Sequence, residues 1–324
     1  MKGRGIACAG NWIVDIVHTI DVWPRKSDLV HIRNEVVGVG GGAANVALDL
    51  AAFQTGIPLF AVGLLGQDSH ARICRDACIR AGVDTRWLQH SADQPTAHTL
   101  VMNVPGDSRT FFYHPGCNDT ITDADIPVED IAAAGVGLFY LGYLNLMGRM
   151  DAVDPDGSTG SSRVLARAKA AGLTTCVDLV SADSADFART VAAALPYIDY
   201  LFLNEVEAAR ATGLTITDPA DRDGLLAAAS DLQKRGARTV ILHTGSVALW
   251  LEITPTWADP VPVDPADILS PVGAGDAFCA GAICGIYQGW PHERSLALAH
   301  RAAAASLRGA TATDGIPPLT QLLA

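Results

Sequence analysis

A carboxylate near the C-terminal end of the chain directly follows three small residues. Asp276 comes after Gly273, Ala274 and Gly275, and apolar side chains then recur with helical spacing at positions 278, 283, 286 and 287. This pattern predicts a tight turn that leads into the N-terminus of a buried helix. The first turn of a helix has amide groups without internal partners and carries partial positive charge, so it stabilises an anion. Small residues let a phosphate approach the backbone closely.

Asp276 falls in this first turn, where its charge would repel a bound phosphate unless the carboxylate has a chemical role. A general base fits the position. It would take a proton from an attacking hydroxyl while the amides of residues 273–275 stabilise the charge that develops on a transferred phosphoryl group. The alternative is structural, because an acidic residue also caps or complements a helix N-terminus. The residues themselves leave both interpretations open.

Further polar residues follow predicted strands, at the sheet edge where open α/β proteins bind ligands. Asp15 lies late in the first apolar segment. It either accepts hydrogen bonds from substrate hydroxyls or is a turn residue. Asn204 and Glu207 open a helix after the strand YLFL. Their spacing points an amide and a carboxylate the same way, as a magnesium site beside phosphates requires. The same spacing is also typical of a helix cap with its third-position glutamate.

Two turn-like segments are candidates for nucleotide binding. Residues 243–246, with the sequence HTGS, end a predicted strand in a turn that either meets a nucleotide or is a plain loop. Gly38, Gly40 and Ala43 match the GxGxxA pattern of dinucleotide-binding proteins. That pattern normally joins the first strand to the first helix, whereas a full strand and a polar segment precede it in this chain. An oxidoreductase that uses NAD(P) and residues 38–43 is therefore an alternative.

The composition is that of a globular protein of 324 residues and not of a disordered one, with 49% apolar and 18% charged residues. The net charge of -12 argues against nucleic-acid binding, which depends on clustered Lys and Arg. The N-terminal segment has no apolar signal core, and no apolar run approaches the roughly 20 residues that span a membrane. We therefore expect a cytoplasmic protein without a membrane partner. The seven cysteines lack paired spacing, so reduced, mostly buried thiols are expected.

Alternation of apolar strands and helices predicts an α/β fold with a mainly parallel sheet and helices on both faces. Strands are expected at 6–20, 31–39, 57–65, 136–141, 173–179, 200–203 and 239–242, with an antiparallel pair near 248–253. Helices are expected after Gly40 and at 70–81, 162–171, 185–195, 205–211, 225–235 and 300–307. Segments 96–102 and 109–114 form a predicted hairpin around VPGDS. With parts of 12–38, this hairpin would form a small β lid that excludes water from the site.

Four motifs in this order resemble the ribokinase-like, or PfkB, family of carbohydrate kinases. They are GGGAAN at 40–45, NEVE at 204–207, HTGS at 243–246 and PVGAGDAF at 271–278. PGCND at 115–119 also resembles the family's segment after the lid strands. The resemblance extends over almost the whole chain. It implies a single domain over 1–324, a three-layer α/β/α sandwich with a β-sheet lid formed by segments about 12–38 and 96–115, and frequently a homodimer through that lid.

The resemblance also implies an ATP- and Mg²⁺-dependent kinase that phosphorylates a hydroxyl of a sugar or nucleoside. It implies that Asp276 is the catalytic base and that the anion hole is formed by Gly273, Ala274 and Gly275. The substrate would be held by Asp15, Gly41, Gly42 and Asn45. The nucleotide would be bound by Asn204, His243, Gly245 and Ser246, and the metal by Glu207 and Asn204. We also expect lid residues His98, Asn103, Phe112 and His114 to select the substrate.

The sequence departs from the family pattern at several positions. Gly42 stands where ribokinases carry a lysine, and Ile13 stands where they carry a substrate-binding asparagine. Ser270 replaces an aspartate that helps to bind a monovalent cation in some relatives, and Ala248 replaces a glycine after the nucleotide turn. Ribose specificity and potassium activation therefore do not follow from the resemblance. The leading hypothesis is a sugar kinase, with a nucleoside kinase, the oxidoreductase and a catalytically silent sugar-binding protein as alternatives.

Overall fold

Two β-sheets organise the chain, as described by a computed structural model of residues 4–105 and 109–324. The strands are β1 Ile6–Gly10, β2 Ile13–Ile20, β3 Ile32–Gly40, β4 Leu59–Leu65, β5 Asp84–His90, β6 Ala97–Asn103, β7 Thr110–His114, β8 Leu138–Leu144, β9 Thr174–Leu179, β10 Tyr200–Leu203, β11 Thr239–His243, β12 Ala248–Leu251 and β13 Pro255–Ala258. Nine of them form a sheet in the order β13-β12-β11-β10-β9-β8-β1-β4-β5. This sheet is parallel except at β12 and β13, which form an antiparallel edge.

Helices cover both faces of the nine-stranded sheet. They are α1 Gly42–Ala52, α2 Ser69–Ala81, α3 Val128–Ala133, α4 Gly148–Asp151, α5 Gly160–Ala170, α6 Phe187–Ala194, α7 Glu205–Thr212, α8 Arg222–Lys234, α9 Ala274–Gln288, α10 His292–Ser306 and α11 Leu319–Leu322. Successive residues of β1 belong to two separate apolar clusters, because side chains of a strand alternate between faces. One cluster includes α3 and α5–α8, and the other includes α1, α2, α9 and α10. The three-layer α/β/α prediction is confirmed.

A second sheet, with the strand order β3-β2-β6-β7, forms the lid. Strands β2 and β6 are parallel, whereas β3 and β7 flank them in antiparallel orientation. These strands lie in the two segments expected for the lid, except that β3 extends two residues beyond 38 to Gly40. The hairpin of β6 and β7 is therefore present as predicted, and part of its expected turn falls on residues 106–108, which lie outside the described residues.

The predicted first strand is in fact two strands in different sheets. β1 ends at Gly10, whose φ of +126° lies in a region that favours glycine. A Cβ at this position would lie 2.7 Å from the backbone carbon of Gly142, so only glycine allows the close approach of β8. The chain then leaves the central sheet at residues 11–12 and enters the lid as β2. Asp15 therefore belongs to the lid and not to the central sheet.

Three other element predictions need correction. The last long helix begins at His292, eight residues before the predicted start at His300. Strand β5 was not predicted, because its seven residues include only two buried side chains, Trp87 and Leu88. Helix α5 begins at Gly160, two residues before its predicted start, where the hydroxyl of Thr159 caps it by accepting a hydrogen bond from the Ser162 amide.

The seven cysteines are buried free thiols, as expected. None of the helices within 4–105 and 109–324 is long and apolar enough to cross a membrane.

Candidate active site

Asp276 lies in the first turn of α9, beside the end of β8. Gly273 precedes the helix with φ +87°, and a Cβ at this residue would lie 2.6 Å from the Cα of Ala312. Glycine is thus required where the chain turns into α9. Apolar and small side chains bury almost the whole helix, and Asp276 itself is only 5% exposed. The predicted turn and buried helix are both present.

Two hydrogen-bond donors hold the carboxylate of Asp276. The side-chain amide of Asn45 donates to Oδ2 at 2.9 Å. The hydroxyl of Tyr143 lies 2.7 Å from both carboxylate oxygens and donates its proton to the pair. Asn45 comes from α1 and Tyr143 from β8, so three separate elements fix the carboxylate. It is therefore not merely a helix cap, because its oxygens are turned toward side chains of other elements.

Burial raises the pKa of Asp276 to about 6, against the opposing effect of the hydrogen bonds from Tyr143 and Asn45. Two neighbouring carboxyls, Asp49 and Asp178, are also buried, and burial followed by the charge of Asp276 raises the pKa of each well above its usual value. Because Asp276 has two hydrogen-bond donors, it is the member of this group that ionises first. A carboxylate poised near neutral pH is suited to accept a proton.

A cleft of about 260 Å³ opens in front of Asp276. Its walls include Tyr143, Asp178, Glu207, Gly273 and Gly275. The first turn of α9 therefore faces the same space as the carboxylate. The unpaired amides and positive end of this 15-residue helix can bind an anionic group in the cleft.

Asn204 and Glu207 form the helix cap that was one of their two predicted roles. The Asn204 side chain accepts from the Glu207 amide at 2.9 Å, and Oε2 of Glu207 accepts from the Asn204 amide at 2.8 Å. Both residues also line the cleft beside Asp178. A carboxylate has about four lone-pair sites, so the cap does not exhaust the oxygens of Glu207. Oxygen donors are the ligands that Mg²⁺ prefers, and Asp178 and Glu207 fit a magnesium ion held through its waters.

A second cavity of about 370 Å³ lies on the other side of the α9 turn. His243 and Gly245 line it together with apolar side chains that include Val261 and Phe278. Burial, reinforced by His300, lowers the pKa of His243 to about 4, so its ring is neutral at pH 7. The ring packs 4.8 Å from that of Phe278. This apolar, uncharged cavity can accommodate a flat ring system. The exposed Ser246 is not among the described residues that line it.

The lid contributes a row of polar side chains on one face. Asp15 of β2 pairs in register with Thr99 of β6, which pairs with Tyr113 of β7, so the three side chains lie on the same face. Burial raises the pKa of Asp15, while a hydrogen bond from Thr99 and the charge of Arg109 oppose the increase. The Asp15 charge in turn raises the pKa of Asp276, which places the two carboxyls on the same site.

Glycines at the start of α1 bring the backbone close to this site. Gly41 has φ +92°, and a Cβ there would lie 2.6 Å from the carbonyl oxygen of Asn11. At Gly42, a Cβ would lie 2.7 Å from the ring of Tyr143. The Tyr143 ring thus occupies the space into which a side chain at position 42 would extend. A larger side chain at position 42 would therefore clash with this ring.

We expect Gly42→Ala to lower the free energy of unfolding by about 1–3 kcal/mol, because the added methyl overpacks against the Tyr143 ring. In a Tyr143→Ala background the same change should cost less, because the ring is gone and only the contact with the backbone carbon of Gly142 at 3.0 Å remains. Urea unfolding of the four proteins in this double-mutant cycle measures the difference. Equal costs in both backgrounds would show that the ring does not exclude a side chain.

Three of the lid residues expected to select the substrate lie on the other face of the lid. His98 and His114 pair with each other in register next to the Asp15 row, so they alternate to the opposite side. Their rings stack 4.9 Å apart, and His98 packs against His70 of α2 at 5.1 Å. Phe112 stacks on Trp23. The prediction is wrong for these three because the side-chain alternation of β6 and β7 was not assigned. Asn103, at the end of β6, alternates to the same face of the lid as Asp15.

Sequence reasoning missed several residues that the structure brings to the site. Tyr143 lies at the end of β8, where a polar side chain could have been singled out by the strand-end argument. Thr99 and Tyr113 could have been found only from the register of the lid strands. Arg109 lies just before β7 and lines a small cavity with Asp15.

The glycine pattern of residues 38–43 does not form a Rossmann connection. Gly38 and Gly40 belong to β3, a strand of the lid, so α1 does not follow a strand of the parallel sheet. A dinucleotide fingerprint joins a strand of the parallel sheet to its helix. Nothing in the site supports the oxidoreductase alternative.

Known proteins show both the sequence pattern and this architecture. The chain is 26% identical over 312 residues to a ribokinase of Arabidopsis thaliana, covering 93% of this chain and 75% of that protein. It is 26% identical over 290 residues to a fructokinase of Klebsiella pneumoniae, covering 87% and 88%. The structure of Arabidopsis thaliana ribokinase complexed with ribose and ATP matches with a TM-score of 0.82 at 23% identity, covering 100% and 98%.

A putative ribokinase II from E. coli in complex with ATP and Mg²⁺ matches with a TM-score of 0.78 at 16% identity, covering 99% of this chain and 98% of that chain. The model of the pfkB family carbohydrate kinases matches residues 6–318. This match extends from β1 to the start of the last helix, so it includes both sheets and every residue that surrounds Asp276. The chain belongs to the PfkB family of carbohydrate kinases.

Proposed function

We propose that the protein transfers the γ-phosphoryl group of ATP, with Mg²⁺, to a hydroxyl of a sugar or sugar-like small molecule. The observation that carries this proposal is the carboxylate of Asp276, held by Asn45 and Tyr143 in the first turn of α9 and facing a cleft. A base and a set of backbone amides at one place are what phosphoryl transfer to an alcohol requires.

Asp276 takes the proton of the acceptor hydroxyl as the new oxygen–phosphorus bond forms and the bond to the ADP leaving group breaks. The amides of Gly273, Ala274 and Gly275 stabilise the charge on the transferred group. Asp15, with Gly41, Gly42 and Asn45, holds and orients the acceptor beneath the lid. The lid excludes water, which would otherwise accept the phosphoryl group.

The nucleotide lies between the two cavities that flank the α9 turn. His243 and Gly245 contact the adenosine part in the apolar cavity. Ser246 lies on the exposed turn beyond this cavity, and Asn204 faces the phosphates from the catalytic cleft. Glu207 and Asn204, with Asp178 beside them, would hold Mg²⁺, which would neutralise phosphate charge when bound. Since Asn204 and Glu207 also cap α7, this helix connects the metal site to the central sheet. Each of these assignments rests on position in the site, and on the ATP and Mg²⁺ named for similar structures.

A coupled assay of ADP formation with a panel of acceptors tests the proposal. Ribose, fructose and nucleosides belong in the panel, because similar proteins include a ribokinase, a fructokinase and the adenosine kinase of Dictyostelium discoideum, 27% identical over 269 residues. Acceptor-dependent ADP formation with at least one sugar or nucleoside is expected. ATP hydrolysis that no acceptor stimulates would contradict the proposal.

The pH dependence of kcat/KM for the acceptor follows from the environment of Asp276 in the free enzyme. Its pKa is raised to about 6, so at any pH below 6 more of the carboxyl is protonated and unable to accept a proton. We expect kcat/KM to fall about tenfold per pH unit below pH 6 and to level off above it. Stopped assays from pH 4.5 to 8 measure the profile. A profile that stays flat down to pH 5 would contradict the assignment of Asp276 as the base.

Exposed apolar side chains on the lid support the expected homodimer. Val37 and Phe112, which share the lid face opposite Asp15, are exposed, as is Leu29 in the connection between β2 and β3. A second copy of the chain would cover such a surface. The dimer and the cytoplasmic location remain predictions.

A further inference from the structure

A third cavity, of about 310 Å³, adjoins the catalytic cleft and has no role in the reaction described above. Its walls include Tyr113 of the lid, Asn145 after β8, and residues that follow β9. Asn145 is two residues beyond Tyr143, and Ala182 of this cavity is adjacent to Ser181 of the cleft. The cavity therefore lies at the same sheet edge as Asp276, where a longer acceptor would extend.

Asn145 has two unfavourable features on one residue. Its backbone is left-handed, with φ +78°, and the residue is only 8% exposed. Within the part of the chain that the structure describes, neither its amide nitrogen nor its amide oxygen has a hydrogen-bond partner. A buried polar group without a partner costs about 1–3 kcal/mol. Strained backbone and unpartnered polar groups persist where function requires them.

Tyr113 provides a second polar group on the lid side of this cavity. Its hydroxyl oxygen accepts a hydrogen bond from the side-chain amide of Asn118 at 3.3 Å, which leaves its proton for another acceptor. Tyr113 also ends the row that begins with Asp15 and Thr99. A molecule that forms hydrogen bonds with Asp15 therefore extends along this row toward Tyr113 and Asn145.

The charges around the cavity exclude an anionic ligand group. Asp119, Asp151, Asp183 and Asp186 line it, and among the described lining residues there is no Lys or Arg. Asp186 pairs with Arg189 at 2.7 Å, and the buried Asp151 accepts from the Ser161 hydroxyl and the Met147 amide, but Asp119 and Asp183 keep the rim negative. A carboxylate or phosphate would be repelled here, and the guanidinium of Arg109 lies instead beside Asp15. The ligand group that fits this cavity is uncharged and polar.

We infer that this cavity binds the end of the acceptor remote from the phosphorylated hydroxyl. We further infer that this end presents a hydrogen-bond donor and acceptor side by side. The lactam edge of a heterocycle and a pair of neighbouring hydroxyls both have this chemistry. The carboxamide of Asn145 pairs with such a group, and Tyr113 donates to it. The inference rests on the proposed function, because it treats the cavity as part of the acceptor site.

Calorimetric titration of the wild type and Asn145→Gly tests the inference without turnover. Glycine adopts φ +78° freely, so this change removes the amide and relieves the backbone. Three kinds of ligand are compared with ribose. Inosine and uridine carry a lactam edge, and fructose is one carbon longer than ribose and carries neighbouring hydroxyls. Ribose 1-phosphate is the anionic ligand. We expect the affinity for inosine or uridine, or for fructose, to fall about tenfold or more in the variant, as the loss of two hydrogen bonds implies.

The ligand whose affinity falls in the variant shows whether a heterocycle or a pair of hydroxyls supplies the donor and acceptor. Ribose is the shortest of these acceptors and lacks a remote end, so we expect it to bind both proteins with affinities within about threefold. Asn145→Asp, which tolerates the same backbone, should weaken the same ligand because it replaces a donor with a charge. Thermal unfolding of each variant checks that it is folded.

Equal affinities of wild type and Asn145→Gly for all the uncharged ligands would overturn the inference, as would tight binding of ribose 1-phosphate alone. These results leave the kinase proposal intact if ribose or fructose still drives ADP formation. Conversely, Asn145-dependent binding without ADP formation from any acceptor would refute the kinase proposal and retain the binding cavity. The two failures are therefore distinguishable.

Discussion

Replacing Asp276 with asparagine should lower kcat by about 10²- to 10⁴-fold while the affinity for ATP changes little. Asparagine is nearly the same size and keeps one oxygen to accept from Asn45 or Tyr143, so the site retains its shape. It cannot accept the proton of the acceptor hydroxyl. Steady-state kinetics with a saturating acceptor measure kcat, and titration of ATP by calorimetry measures binding.

Asp49→Asn is the matched control for this change. Asp49 is a fully buried carboxyl, and burial followed by the charge of Asp276 raises its pKa well above the usual value, which favours its neutral form. Its replacement by the neutral amide removes a neighbouring carboxyl that makes no hydrogen bond among the described residues, so kcat should stay within a few fold. If Asp276→Asn retains full activity, or if both variants lose activity equally, Asp276 is not the base.

Gly273→Ala is expected to have the second largest effect, with kcat reduced by about 10²- to 10³-fold, the cost typical of losing an oxyanion donor. The new Cβ would lie 2.6 Å from the Cα of Ala312, and alanine is strained at φ +87°. The turn must therefore move, and the amides at the start of α9 move with it. Steady-state kinetics at saturating ATP measure the loss, and circular dichroism verifies that the variant is folded.

Gly289→Ala separates the role of the turn from the general cost of left-handed alanine. Gly289 ends the same helix with φ +68°, and no atom lies within 4 Å of the Cβ position. This variant should lose about 1–2 kcal/mol of stability and keep its kcat. A similar loss of kcat in both glycine variants would mean that the amides of the turn do not stabilise the transferred group.

The apolar pattern of the sequence was sufficient to predict the three-layer fold and the lid, because central strands and buried helices differ clearly in length and period. The break at Gly10 was not predictable in this way. Residues 6–20 are apolar on both sides of it, and only the close approach of β8 shows that two sheets are involved. Strand β5 was missed because its burial is too limited to leave a pattern.

The parts of the candidate site that lie in recognisable sequence motifs were predictable. The turn before Asp276, the glycines before Asn45 and the pair Asn204 and Glu207 all line or flank the site, as expected from the resemblance. Tyr143 was not anticipated, since its contact with Asp276 depends on the packing of β8 against α9. The faces of the lid strands were also unassigned, because a shift of one residue exchanges the two faces and the sequence alone does not fix the register.

The contact between Gly42 and the Tyr143 ring constrains how this sequence can diverge. A lysine cannot arise at position 42 while the aromatic ring is present, and loss of the ring first would remove a donor to Asp276. Each single substitution is therefore disfavoured, and a side chain at position 42 would also have to accommodate the backbone carbon of Gly142, 3.0 Å from the Cβ position. Positions 42 and 143 are thus coupled through one small space beside the Asp276 carboxylate, so a change at either residue disturbs the support of the base.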